Sequence, residues 1–387
     1  MKILYMDWKC FCTEDLIPAF EKNGCRIIRI PFTKELGWKG DEYEEMLRTL
    51  IRSEQPEFVF SFNFFPLISK VCNSEKCLYV SWVYDSPQVS LCNEVAENKY
   101  NLIFLFDQMQ LLYFQNRGNK NVKYLPMAAN PERIKKMPYS EEIKKHFSSE
   151  ISFVGSLYSE KKHKLYDKFD KTTAYTQGYL EGVVKSQKLV YGENFIEKTL
   201  TNEIISEMMR VYPMTIREGG TETPSWLYSE YILSRQVTSE ERAEILTVLS
   251  EKHTVKLYTH DTSWTSGKVI NCGPVDYYDH APYVFRFSDI NLNITLRSIK
   301  SGIPLRVFDI MGAGGFLVTS FTSDFLDFFV PGEDFIYYES ISDLIEKTDY
   351  YMTHEEERKK IAENGHKKIC NDHTFDHRVQ EILSFIK

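Results

Sequence analysis

Along this chain, apolar residues gather in short unbroken blocks separated by longer stretches with helical spacing. The first blocks are KILYMD (2–7), CRIIRIPF (25–32), EFVFSFNFF (57–65), CLYVSWVYD (77–85), NLIFLFD (101–107) and VKYLP (122–126). Between them, DLIPAFEKNG (15–24), DEYEEMLRTLIRSE (41–54) and QMQLLYFQNRG (108–118) read as helices. Continuous apolar strands alternating with helices predict a parallel sheet covered on both faces, wound by right-handed crossovers.

Residues 127–150 break the rhythm: the stretch is polar and holds two prolines. A second series of strands then begins at ISFVGS (151–156) and resumes at TVKLYT (254–259), VINCG (269–273), DINLNIT (289–295), FLVTS (316–320) and DFIYYE (334–339). The predicted plan is α/β, with two doubly wound Rossmann-like domains: residues 1–130, a linker over 131–150, and residues 151–370 with a helical insertion at about 170–250. The C-terminal part from Ser342 reads as helical, broken near Gly365 and Asn371, and a last helix over 371–387 is placed to pack back on the first domain. Two such domains put ligands in a crevice outside the carboxyl ends of their strands.

The 387 residues carry a net charge of −8. That argues against a nucleic-acid partner, which needs a dense basic face. The eight cysteines form no C-x-x-C and fit no zinc spacing, so they read as reduced thiols of a cytoplasmic protein. MKILYMD is too short an apolar run for a signal peptide, and no run of 18 apolar residues exists. Peripheral contact with a membrane stays open.

One stretch stands out. SGIPLRVFDIMGAGGF (301–316) is apolar, yet Arg306 and Asp309 sit inside it and glycines follow. Pro304 suits a first helical turn. Leu305, Phe308 and Met311 form one stripe, and Arg306 and Asp309 share another face. Either this is a surface ion pair with a glycine C-cap, or the helix start faces a ligand. In the second case Arg306 pairs with a diphosphate, Asp309 accepts from sugar hydroxyls, and free backbone N–H groups add to the anion site.

From DINLNITLRSIKSGIPLRVFDIMGAGGFLVTS to FVPGEDFIYYESISDLIEK the chain resembles the donor domain of GT-B glycosyltransferases, in particular the CgeB-like, spore-maturation-type bacterial enzymes of the glycosyltransferase group 1 superfamily. FSFNFFP, YVSWVYDSP, FLFD, YLPMAAN and SFVGSLYSEK resemble the same family's first domain and joint, and 170–250 carries the least likeness. The resemblance implies a GT-B fold with two domains facing across a cleft. It also implies a metal-independent hexosyltransferase that takes a nucleotide-sugar, UDP-linked, as co-substrate with no further cofactor, and a glycan or glycoprotein acceptor. Many retaining relatives carry a Glu-x7-Glu pair here. Asp309 stands at the later acid and Ser301 at the earlier one, so the ribose contact carries over and the sugar contact does not.

Other candidates keep two readings each. Gly155, with Ser156 beside it, follows a strand: the loop either approaches the donor phosphates or is an ordinary turn. Arg297 either aids the phosphates or lies free on the surface. His260 either touches the donor or is structural. Gly314 and Gly315 end the helix and are counted with the nucleotide site. Asp85, clamped before Ser86-Pro87, is either a general base for an acceptor hydroxyl or a turn former; Asn63 either binds the acceptor or holds Asp85. No Asp-x-Asp follows a strand, so no metal site is expected. Two rival functions are a non-catalytic sugar-nucleotide or glycan binder and, lower, an NAD-linked oxidoreductase, which lacks its G-x-G-x-x-G.

Overall fold

A computed structural model describes residues 1–33 and 40–386. The chain divides into two compact units, Met1–Ala129 with Ile216–Glu222 and His373–Lys387, and Asn130–Thr215 with Thr223–Asp372.

The first unit is built on strands β1 (Lys2–Asp7), β2 (Arg26–Pro31), β3 (Phe58–Phe62), β4 (Leu78–Val83), β5 (Asn101–Leu105) and β6 (Val122–Tyr124). All are parallel, in the order β2-β1-β3-β4-β5-β6. The chain therefore reverses direction across the sheet between β1 and β3, the place where doubly wound sheets open a crevice. Every residue of β3 is buried, as the unbroken apolar run required. The C-terminal helix Phe375–Ser384 belongs to this unit. Its Phe375 ring meets Trp82 at 6.2 Å, and buried Arg378 donates to the carbonyls of Pro126 (2.8 Å) and Met127 (3.2 Å).

The second unit holds β7 (Ser149–Val154), β8 (Val255–Tyr258), β9 (Ile270–Asn271), β10 (Ser288–Asn293), β11 (Leu317–Ser320) and β12 (Ile336–Tyr338). They are parallel in the order β12-β11-β10-β7-β8-β9. Counted within the unit this is 3-2-1-4-5-6, the dinucleotide-fold order, with its switch point between β7 and β10. Between β7 and β8 the chain inserts helices with a core of their own, including Leu180, Ile204, Met208, Tyr228 and Val237. Within it, Leu227–Leu233 is a π-helix that runs directly into helix Ser234–Leu249. Such irregular turns recur at functional sites.

Two local expectations are corrected. Residues 131–150 carry helices Pro131–Lys135 and Glu141–Phe147, each opened by an Asn or Ser cap, Asn130 and Ser140. The helix break expected near Gly365 is absent, because helix Glu355–Asp372 runs through it. Gly365 is there for close packing: a Cβ would lie 2.5 Å from the Asp334 carbonyl oxygen.

Candidate functional site

The switch point of the second unit collects positive charge. Strand β7 ends at Val154 and passes into Gly155, whose φ is +155°. A Cβ on Gly155 would collide with the Arg306 guanidinium, whose Cζ lies 3.1 Å from that position. The loop after β7 stays bare because Arg306 already fills the space. Arg306 sits in the first turn of helix Leu305–Gly312, donates from Nη1 to Asn293 Oδ1 (2.9 Å) at the end of β10, and lies 4.9 Å above the Phe153 ring. Arg242, from helix Ser234–Leu249, approaches the same ring at 5.1 Å. It is 2% exposed and donates to the carbonyls of Ser156 (2.5 Å) and Ile294 (3.1 and 2.5 Å), tying together the ends of β7 and β10.

Neither arginine has a carboxylate within ion-pair distance among the described residues, in contrast to buried Arg297, which pairs with Glu241 at 3.0 Å, and Arg358, which pairs with Asp289 at 2.8 Å. Burial, the charge of Arg242 next, disfavours the protonated form of Arg306, and burial does the same to Arg242. A buried and a half-buried cation that repel each other are a cost to the empty protein that a bound anion returns.

The sequence-named residues divide around this point. Asp309 is not paired with Arg306: it accepts from the Tyr277 hydroxyl at 3.0 Å. Ser156 accepts from Tyr158 N–H and donates to Glu160, so its hydroxyl holds the loop after β7. Ser301 is buried and its carbonyl accepts from Asp324 N–H. Two expectations fail. Gly314 and Gly315 lie past the end of the helix, about 12 Å along its axis from Arg306, and they precede β11, at the sheet edge opposite the strand carboxyl ends. Gly315 serves packing, since a Cβ would meet the Phe285 carbonyl oxygen at 2.5 Å. Arg297 is spent on Glu241 and donates to the carbonyls of Lys188 and Val190, so it docks the insertion and has no charge to spare. His260 is exposed two residues past the end of β8, and its carbonyl accepts from Thr262 N–H, so the structure leaves its donor reading standing. Sequence reasoning missed Arg242 and Asn293. Arg242 lies in a stretch that reads only as charged amphipathic helix; Asn293 lies in DINLNIT, where an Asn closing an apolar strand was the available signal.

In the first unit, Asn63 follows β3 in the left-handed region, φ +60°, a conformation Asn tolerates. Its Oδ1 accepts from the N–H groups of Tyr84 (3.1 Å) and Asp85 (3.3 Å), and its Nδ2 donates to Asp85 Oδ2 at 2.8 Å. Asn63 therefore aims the half-buried Asp85 carboxylate at the carboxyl edge of β3 and β4. Nearby Cys10 is no nucleophile: burial pushes its thiol up to about 12. None of the eight cysteines is in a disulfide. Among the described residues, no group of three or more His, Cys, Asp or Glu side chains could hold a metal, and no helix is long and apolar enough to cross a membrane.

Two parallel Rossmann-like units of this order are the GT-B glycosyltransferase fold, and known proteins agree. Residues 235–384 match the family described as Glycosyl transferase-like, a segment that includes Arg242, Arg306 and Asp309. Spore protein CgeB of Bacillus subtilis is 23% identical over 274 residues, 71% of this chain; the chain spans 64% of that relative's length. HepE of Anabaena in complex with UDP-glucose is similar over all of both chains, with a TM-score of 0.58 at 10% identity. Sucrose-phosphate synthase from Thermosynechococcus elongatus is similar over all of this chain and 98% of its own, with a TM-score of 0.58 at 8% identity. A putative UDP-N-acetylglucosamine 2-epimerase from Listeria monocytogenes shares the fold over all of this chain and 95% of its own, with a TM-score of 0.50 at 10% identity.

Proposed function

We propose that this protein is a glycosyltransferase that moves a sugar from a UDP-linked donor to a hydroxyl of a glycan or glycoprotein acceptor. The observation that carries the reading is the pair of arginines without carboxylate partners, buried Arg242 and half-buried Arg306, at the switch point of a dinucleotide-type sheet. The start of helix Leu305–Gly312 adds N–H groups to the same anion site. Arg306 takes the diphosphate as it leaves, Arg242 supplies field from beneath, and Asp309, steadied by Tyr277, accepts from the ribose. Charge on the leaving group rises in the transition state, so these donors stabilise it more than the bound ground state. Asp85, aimed by Asn63, takes the acceptor proton as the hydroxyl attacks, which makes the reaction inverting. UDP binding by HepE supports the choice of base.

The fold alone does not distinguish transfer from other nucleotide-sugar chemistry. The test is a panel of UDP-, GDP-, dTDP- and CMP-sugars, reading free nucleotide released with and without a glycan mixture. Acceptor-stimulated UDP release with a new glycosidic bond is expected. Binding without release on any acceptor would leave a sugar-nucleotide binder instead.

A further inference from the structure

The cluster is larger than a diphosphate needs. Arg235 lies on the same helix as Arg242, seven residues earlier. Two helical turns place both on one face, about 10 Å apart along the axis. Arg235 stacks 3.7 Å above the Tyr231 ring and 5.9 Å from Tyr158, whose other cationic neighbour is Arg242 at 5.1 Å. The guanidiniums thus form a row: Arg306 and Arg242 share Phe153, and Arg242 and Arg235 share Tyr158.

Arg235 is half-buried, and among the described residues it too has no carboxylate partner. Its Nη1 donates to the Tyr231 carbonyl at 3.1 Å, and its Nε is buried with no acceptor. Its charge disfavours protonation of half-buried His163, after burial itself, and His163 packs edge-on to Tyr158 at 5.4 Å. Tyr158 is held in the left-handed region, φ +57°, by its N–H bond to Ser156 Oγ. That conformation costs free energy in a non-glycine residue. It keeps the phenol ring between the two arginines.

We infer that Arg235 binds a second anionic group, a phosphate or carboxylate on a sugar ring, separate from the nucleotide diphosphate. Arg235 stands one ring further along the row than Arg242, beyond the pair that takes the diphosphate. The anion belongs either to the transferred sugar or to the acceptor. This rests on the donor site proposed above.

The test is calorimetric titration of the full chain with UDP, UDP-glucose and UDP-glucuronate, and with glucose 6-phosphate in the presence of UDP. If the transferred sugar is charged, UDP-glucuronate binds at least tenfold more tightly than UDP-glucose. If the acceptor is charged, glucose 6-phosphate binds the UDP complex where glucose does not. In either case Arg235→Met removes the gain and leaves UDP affinity unchanged, and Arg235→Lys keeps part of it. Should the Met variant fail to fold, the wild-type selectivity and the Lys variant decide. UDP binding with no preference for either charged ligand overturns the inference and spares the donor site. Absence of UDP binding overturns both.

Discussion

Replacing Arg306 with methionine separates a binding role from a structural one, because the two make predictions of different kind. In the empty protein two terms oppose. Arg306 and Arg242 lie 4.9 and 5.1 Å from one ring centroid, so they are at most the sum of these apart. At that largest separation, about 10 Å, and an effective dielectric of 20 their repulsion is about 1.7 kcal/mol, less where solvent screens half-buried Arg306. Methionine relieves it and fills much of the volume. Against this, Asn293 Oδ1 loses its donor; its Nδ2 stays bound to Thr295 and Thr319. A buried acceptor left unmet costs about 1–3 kcal/mol. The terms nearly cancel, so the melting temperature should shift by no more than about 5 °C. UDP binding is different: a charge-assisted contact is worth about 1.5–3 kcal/mol, roughly tenfold to a hundredfold in affinity. Uridine, which carries no phosphate, should bind Arg306→Met as well as it binds wild type. The assay is calorimetry with UDP and uridine beside a thermal melt. A melt lowered by more than about 10 °C, with equal losses for both ligands, would show that Arg306 holds the fold together and would refute the reasoning.

Gly155→Ala should destabilise the protein by roughly 1–3 kcal/mol and weaken UDP, since the new Cβ meets Arg306 and the φ suits glycine; an unchanged melt counts against the close approach. Asp85→Asn should slow turnover by about 10²–10⁴ with donor affinity intact, and a product that retains the donor's anomeric configuration would remove the base role whatever the rate. Asp261 accepts from Ser159 and Ser263, and those bonds, Ser159 first, hold its carboxyl below the usual range. Its contribution is therefore complete above about pH 4, the unfolded value, and fades as pH falls through the lower folded value. The melting difference between wild type and Asp261→Asn should shrink below that pH; a difference constant from pH 7 to pH 3 would contradict the assignment.

The fold was legible because parallel strands buried on both faces leave apolar runs, and β3 and β5 are such runs. Strand order was not, since nothing local in the sequence says that β7 lies beside β10 rather than beyond β9. The site was half legible for the same reason. Arg306 and Asp309 are named by one short helix. Gly314 and Gly315, in that same stretch, were grouped with them, although a helix carries its two ends to opposite edges of the sheet. Arg297 read as a free cation because its partner Glu241 comes from the insertion, 56 positions earlier. Arg242 was invisible: only the fold brings that helix beneath the ends of β7 and β10. The Asn63–Asp85 pair was within reach, as both follow apolar strands, and the structure shows which partner orients the other.

The central claim is that a nucleoside diphosphate seats at the β7–β10 switch point. Hydrogen exchange of the full chain with and without UDP tests this most directly. The account predicts slower exchange in the loop Gly155–Glu160 and at the start of helix Leu305–Gly312, with Arg306→Met abolishing the effect at the same UDP concentration. Protection that appears elsewhere, or that survives in Arg306→Met, would contradict it.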